Sequence, residues 1–213
     1  MLVSIARAFQ QGGPFMYGIG LVSAFAFAII VERTYYLFFK FDVKADAIWP
    51  EILNHLKKGD IKGAIKIADD VTVPFFYVVR HALEHIDTGR IKDFAMEAYY
   101  EVEPELNRRI GYVSLLANIA TLLGLLGTIT GLIAAFMGVA AADPGEKQRK
   151  LASGIATAMN TTAFGLIVAI PCLIAFSILK AKADNILNKV EEYNRKLVDY
   201  VTHHIYNSNS GGE

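Results

Sequence analysis

The sequence contains only one cysteine, Cys172, among its 213 residues, so no disulfide can form within the chain. Its five histidines do not combine with cysteine at the spacing of a metal site, and we expect no bound metal. A nucleophile–base pair and a phosphate-binding loop are also lacking, which argues against an enzyme and predicts neither catalytic residues nor a cofactor. Basic and acidic residues balance at 21 each, so a nucleic-acid partner is not expected.

Apolar residues, by contrast, are abundant. They make up 54% of the chain and raise its mean hydropathy to +0.35, which is too apolar for an ordinary soluble domain of this length. Charged residues still account for 20%, so part of the protein must lie in water. No segment has the alternating pattern of a β-strand. The sequence therefore predicts an all-α integral membrane protein.

Three stretches lack charged residues and are long enough to span a bilayer: 8–31, 112–142 and 151–179. A helix needs about 20 apolar residues to cross the hydrocarbon layer. The second and third stretches are about 30 residues each, hence about 45 Å long as helices, and should extend beyond the bilayer. The first is expected to be retained rather than cleaved as a signal peptide, because no small-x-small site precedes Glu32 and Arg33.

The distribution of Lys and Arg near the ends of these spans predicts which side faces the cytoplasm. It favours an external N-terminus and an internal C-terminus, as in a multi-pass protein of the bacterial inner membrane. The predicted organisation is a periplasmic segment 1–14, transmembrane helices 15–40, 111–142 and 151–180, a cytoplasmic insert 41–110, a periplasmic turn 143–150, and a cytoplasmic helix and tail 181–213.

The 41–110 insert reads as four helices. Apolar residues recur at helical spacing, and the segments Lys58-Gly59-Asp60, Pro74 and Thr88-Gly89 should separate the helices. The fourth helix is predicted to begin at Ile91 and to run into the second span, with Pro104 as the one expected kink.

The long spans carry hydroxyl and amide groups on more than one face. In the third span, Thr162 lies about 140° around the helix from Thr157, so two faces are polar. Such a helix suits a subunit that touches a neighbour on one side and a pore on the other. The residues predicted to line an ion pathway are Thr121, Thr128, Thr157, Asn160, Thr161 and Thr162.

Small residues in the same spans predict close helix packing. Gly127-x-x-x-Gly131 is a small-x-x-x-small seam, although threonines in such helices also bond their own carbonyls. The residues assigned to helix packing are Gly124, Gly127, Gly131, Gly154, Gly165 and Pro171. Glu32 and Arg33, at the end of the first span, are expected to form an ion pair at the membrane interface.

Neither long span contains Asp, Glu, Lys, Arg or His. A proton path through a membrane normally needs such a titratable side chain. If these helices line an ion path, another polypeptide must therefore supply the proton-binding group.

Residues 118–136 (NIATLLGLLGTITGLIAAF) and 154–171 (GIATAMNTTAFGLIVAIP) resemble the two signature spans of the MotA/TolQ/ExbB proton-channel family, and Val31-Glu32-Arg33 is similar to the end of that family's first span. The resemblance implies a pentamer around two copies of a single-span ExbD/TolR/MotB-like partner with an intramembrane aspartate. It further implies that Thr128 and Thr162 are the pore-facing threonines, and that ion flow drives rotation or force on the cell envelope.

One departure concerns the glutamate that many ExbB and TolQ proteins carry in the third span, where this chain has Thr157. The difference leaves room for another branch, such as a gliding-motility motor, besides outer-membrane transport energisation or envelope maintenance. Neutral oxygens of Asn160, Thr161 and Thr162 also leave sodium open as an alternative to the proton. Two other readings are a membrane scaffold without conduction and a self-sufficient small-solute channel.

Overall fold

The computed structural model describes residues 13–42, 45–69, 72–141 and 143–206, and it contains no β-strand within those ranges. The predicted segment 1–14 and the tail beyond residue 206 lie mostly outside the described residues. The helices are α1 (Phe15–Tyr35), α2 (Ala45–Lys57), α3 (Ile61–Ile67), α4 (Pro74–Glu84), α5 (Ile91–Asn107), α6 (Ile110–Ala140) and α7 (Lys147–Val201). The prediction of an all-α fold is confirmed.

Three helical stretches are long and apolar enough to cross a membrane, as predicted: Phe15–Lys40, Ile91–Ala140 and Lys147–His204. The chain divides into two compact units. The first contains Met1–Arg33 and Arg109–Ile178, and the second contains Thr34–Arg108 and Leu179–Glu213. Helix α7 contributes residues to both units, because it continues without interruption for 55 residues.

In the first unit, α1, α6 and α7 share a core of small and branched apolar side chains. Its buried members are Ile19, Ala26, Val113, Ala117, Ala120, Val168, Ala169 and Cys172. Many large apolar side chains of the same helices point outward instead, including Phe27 and Met137, both 69% exposed. An outward apolar surface around a small-residue core is what helices packed in a bilayer require.

In the second unit, turn and capping residues divide the insert into helices. The Asp60 carboxylate caps α3 by accepting hydrogen bonds from the Gly63 backbone N–H at 2.9 Å and from His55 Nδ1 at 2.8 Å. The hydrogen bond from Gly63 and, to a smaller extent, the one from His55 lower the pKa of Asp60 below its usual 3.8. Pro74 occupies the first turn of α4, where its missing N–H costs nothing, and Gly89 adopts a positive φ of 70° before α5.

The last part of α7 packs onto the insert through polar as well as apolar contacts. The Asn194 side-chain amide donates to the Ala95 carbonyl of α5 at 2.9 Å. The Tyr193 hydroxyl donates to Asp46 of α2 at 2.5 Å, and this bond is the main cause that lowers the pKa of Asp46. These contacts tie the C-terminal part of α7 to two insert helices within the second unit.

Two helix boundaries differ from the prediction. Pro104 lies inside α5, and the chain breaks instead after Asn107, where Arg109 has the left-handed φ of 62°. The prediction that the helix from Ile91 runs without a break into the second span is therefore wrong, because α5 and α6 are separate helices. Helix α7 begins at Lys147 rather than at the predicted residue 151. Residues 147–150, which were predicted to belong to the turn, are therefore part of the helix.

Candidate functional site in the spanning helices

Helices α6 and α7 approach each other so closely that their backbones touch. A Cβ added to Gly165 would lie 2.7 Å from the Ala120 carbonyl oxygen and 3.2 Å from Gly124 Cα. A Cβ added to Gly124 would lie 3.3 Å from both Thr161 O and Thr162 Cα. Glycine is thus required where the two helices cross, and this approach brings polar side chains of one helix against carbonyls of the other.

Two further glycines that were predicted to serve helix packing also lie in the contact between α6 and α7. A Cβ on Gly131 would lie 2.9 Å from Ala158 Cβ, and one on Gly154 would lie 3.0 Å from Ala135 Cα. Pro171 is placed differently. It lies within α7 and lines an apolar cavity of about 480 Å³ together with α1 residues such as Ser23 and Phe27.

Thr128 of α6 and Thr162 of α7 form the polar contact between the two helices. Their hydroxyls hydrogen-bond to each other. The Thr162 hydroxyl also lies 3.0 Å from the Gly124 carbonyl, and Thr128 Oγ1 lies 3.2 Å from Gly124 O and 3.3 Å from Ala158 O. Two hydroxyls therefore share two protons among several acceptors, and both side chains remain only half-buried. Such a group can reorient its hydrogen bonds and offer an oxygen or a proton to an ion or water.

Thr161 lies at the centre of the contact between the helices rather than at an accessible edge. It is 1% exposed, and it is the side chain that a Cβ at Gly127 would strike. Its hydroxyl donates to the Thr157 carbonyl one turn earlier at 3.1 Å. In this position Thr161 fills the space that Gly127 leaves.

The other predicted pathway residues do not join the Thr128–Thr162 pair directly. Thr121 donates to the Ala117 carbonyl at 3.1 Å, and Thr157 donates to the Ser153 carbonyl at 3.0 Å. Thr121 lies two turns from Thr128, about 20° around α6, so these two share a face. Thr157 and Asn160 lie about 140° and 160° around α7 from Thr162, on a different face.

A side chain that the sequence reasoning missed is Thr130. Its hydroxyl donates to the Leu126 carbonyl at 2.9 Å, and at 100° per residue it points about 160° away from Thr128. The only signal in the sequence was its position within the threonine-containing run. Whether the Thr130 side chain faces α7 or points away from it depends on which side of α6 meets α7, and the sequence does not specify that side.

At the end of α1, Glu32 forms the predicted ion pair with Arg33 at 3.3 Å and a much closer one with Arg109. Arg109 Nη1 donates to both carboxylate oxygens of Glu32, at 2.6 and 2.8 Å. Arg33 is almost fully buried, at 4% exposure. Glu32 therefore connects α1 to the first residue before α6, a contact between residues far apart in the sequence.

Comparison with known proteins gives two matches. The family model described as the MotA/TolQ/ExbB proton channel family matches residues 71–192, which include Thr128 and Thr162. A curated relative from Methanothermobacter thermautotrophicus, named as a homolog of the biopolymer transport protein ExbB, is 27% identical over 192 residues. That alignment covers 88% of this chain and 67% of the relative.

Proposed function

Because the chain belongs to the MotA/TolQ/ExbB proton channel family, whose model covers more than half of it, we propose that it is the ring-forming subunit of an ion-driven inner-membrane motor. Five copies surround two copies of a single-span ExbD/TolR/MotB-like partner that carries an intramembrane aspartate. The N-terminus is periplasmic, and the insert and the C-terminus are cytoplasmic. Ion flow between the ring and the partner is converted to rotation or force on the cell envelope.

The observation that carries this proposal is the Thr128–Thr162 hydroxyl pair, which lies in α6 and in the 151–179 part of α7, where neither segment contains Asp, Glu, Lys, Arg or His. The pair can hydrate an ion and exchange hydrogen bonds, but hydroxyls do not release protons near neutral pH. A carboxylate from the partner supplies the missing titratable group. Thr121, on the same face of α6, extends the hydroxyl-lined side toward the start of that helix.

We propose the proton rather than sodium as the transported ion. A sodium site would require several neutral oxygens to converge on one point. Thr161 is buried between the helices, and Asn160 points about 160° away from Thr162, so the three neighbouring side chains do not form such a cluster. A proton pathway in which hydroxyls hydrogen-bond to a carboxylate does not require several oxygens to converge on one point.

A scaffold without conduction is the second candidate, and it is favoured by one specific observation. The hydroxyls of Thr121, Thr157 and Thr161 all donate to carbonyls of their own helix, as threonines do when they serve only packing. The two candidate functions assign different roles to the hydroxyls of Thr128 and Thr162. In a scaffold, a substitution of equal volume at either position leaves every output of the complex unchanged.

The decisive experiment replaces Thr162 with Val and, separately, with Ser. Valine keeps the volume and removes the hydroxyl, so we expect proton flux of the complex in liposomes to fall about tenfold or more, equivalent to about 1.4 kcal/mol on the barrier. Serine keeps the hydroxyl and should retain most of the flux. Wild-type flux in T162V, with the complex assembled, would exclude the proposed pathway and favour the scaffold.

A further inference from the structure

Polar side chains continue from the Thr128–Thr162 pair toward only one end of α6. Between residues 114 and 128 this helix carries four polar side chains, and at 100° per residue all four point within an arc of about 80°: Ser114, Asn118, Thr121 and Thr128. On the other side of Thr128, the side chains that point into the same arc are apolar: Leu132, Phe136 and Val139. The polar arc therefore runs from the hydroxyl pair toward the start of α6, over about 21 Å.

Asn118 lies deep in the spanning part of this arc. Helix α6 begins at Ile110, next to the Glu32–Arg109 ion pair, and Asn118 lies about 12 Å further along the helix axis. The Asn118 side chain is exposed and forms no hydrogen bond with any other residue that the structure describes. Ser114, one turn nearer the start of the helix, is half-buried and also lacks such a bond within the described chain. Two polar groups of one face are thus left without a partner inside the subunit.

The position of the Asn118 amide favours a hydrated surface over contact with lipid. An unpaired amide in the hydrocarbon layer is unfavourable, because lipid tails supply neither donors nor acceptors. Ser114 and Thr121 add hydroxyls to the same face within one turn on either side of Asn118. Such groups can hold a row of hydrogen-bonded water molecules, and a proton can move along such a row.

We propose that protons pass between the Thr128–Thr162 pair and the cytoplasm along this face of α6, in water held by Thr121, Asn118 and Ser114. Asn118 is the central positioning residue, because its amide both donates and accepts hydrogen bonds about 15 Å from Thr128. This route rests on the proposed motor function and adds to it the way by which the proton reaches the cytoplasm. Since the same face is apolar beyond Thr128, α6 hydrates only the cytoplasmic half of the pathway.

Reaction of a single cysteine with a charged reagent tests whether water reaches this face. Asn118→Cys is introduced into a chain with Cys172→Ala, and the chain is assembled with the single-span partner in inside-out membrane vesicles. The reagent is a methanethiosulfonate with a quaternary ammonium group. It reacts with the thiolate, which forms in water and not in hydrocarbon, so we expect labelling of N118C to be at least about tenfold faster than labelling of lipid-facing controls.

Two exposed positions of the same helix provide matched controls. Leu115→Cys lies at nearly the same depth but points about 60° outside the direction of Asn118, beyond the polar arc. Phe136→Cys points in the same direction as Asn118 but lies about five turns nearer the external end. Both should react slowly. Equal labelling rates for N118C and L115C would overturn the proposed hydrated face.

Proton flux tests whether the hydrated face is the route itself. Asn118→Leu keeps the volume and removes the amide, so flux through complexes that still contain the partner should fall about fivefold, the effect of one lost hydrogen-bonding group. Asn118→Ser, which keeps a hydrogen-bonding group, should retain most of the flux. Fast labelling of N118C together with wild-type flux in N118L would overturn the proposed route. No flux through the wild-type complex would instead contradict the motor function, and the labelling rates would still decide whether this face is hydrated.

Discussion

At the residue scale, the two hydroxyls that meet across α6 and α7 differ in their surroundings from the four other predicted pathway residues. Thr128 and Thr162 bond to each other and to carbonyls of both helices, and both retain an accessible edge. Thr161, one residue earlier, is enclosed against Gly127. A rotation of about 100° between consecutive residues is enough to turn an accessible hydroxyl into a packing group.

The sequence could predict the residue types of the site but not this division. Helical periodicity shows that Thr157 and Thr162 face different ways, because it depends only on spacing within one helix. Which of those faces meets α6 depends on the small residues of both helices together, such as Gly124 and Gly165. That information is tertiary, so spacing within α6 shows that Thr128 and Thr130 face different ways but not which of them meets α7.

The contact between the helices makes a prediction for Gly165. An alanine there places its Cβ 2.7 Å from the Ala120 carbonyl oxygen, and a backbone atom cannot move aside as a flexible side chain could. We expect Gly165→Ala to destabilise the folded protein in detergent by about 1–3 kcal/mol, as measured by thermal unfolding.

The matched control is Gly138→Ala on α6, where an added Cβ has no atom within 4 Å. It should be neutral or slightly stabilising, because alanine favours the helix more than glycine does. Equal stability of the two alanine variants would contradict the close approach of α6 and α7 at Gly165.

At the scale of the elements, helix-breaking residues predicted the ends of the insert helices well, except for the break before α6. Asp60 and Pro74 act within a few residues of their own position, so their effect is visible in the sequence. The break before α6 is different. It is centred on Arg109, a residue type that rarely adopts a left-handed backbone, and the side chain at that position bonds Glu32, 77 residues away in the sequence. No local signal marks such a break, and Pro104 was the more obvious candidate.

The strain at this break can be measured by comparing two substitutions at Arg109. Arg109→Gly and Arg109→Ala both remove the ion pair with Glu32, but only glycine adopts a φ of 62° without cost. The glycine variant should therefore be more stable than the alanine variant by about 1 kcal/mol in thermal unfolding. An alanine variant as stable as the glycine variant would mean that the left-handed geometry does not persist once the ion pair is lost.

At the scale of the whole molecule, the main inference comes from where charge is missing. The 213-residue chain has 21 basic and 21 acidic residues, yet the residues of α6 and the bilayer-length part of α7 include none of either kind. Length and composition were sufficient to predict three spans, because the cost of burying charge in hydrocarbon acts on composition alone. How many copies assemble, and around which partner, depends on surfaces that a single chain leaves uncovered.

Partner dependence is the prediction that belongs to this scale. Since α6 and the apolar part of α7 lack a titratable acid or base, the purified chain alone in liposomes should pass protons no faster than empty liposomes. Adding the single-span partner should produce flux, and changing the partner's intramembrane aspartate to asparagine should abolish it while the complex stays assembled. The pH dependence of the flux should follow the partner's carboxylate, because the hydroxyls of Thr128 and Thr162 do not titrate in the accessible range. Flux through the chain alone, at a rate unaffected by the partner, would instead identify a self-sufficient channel.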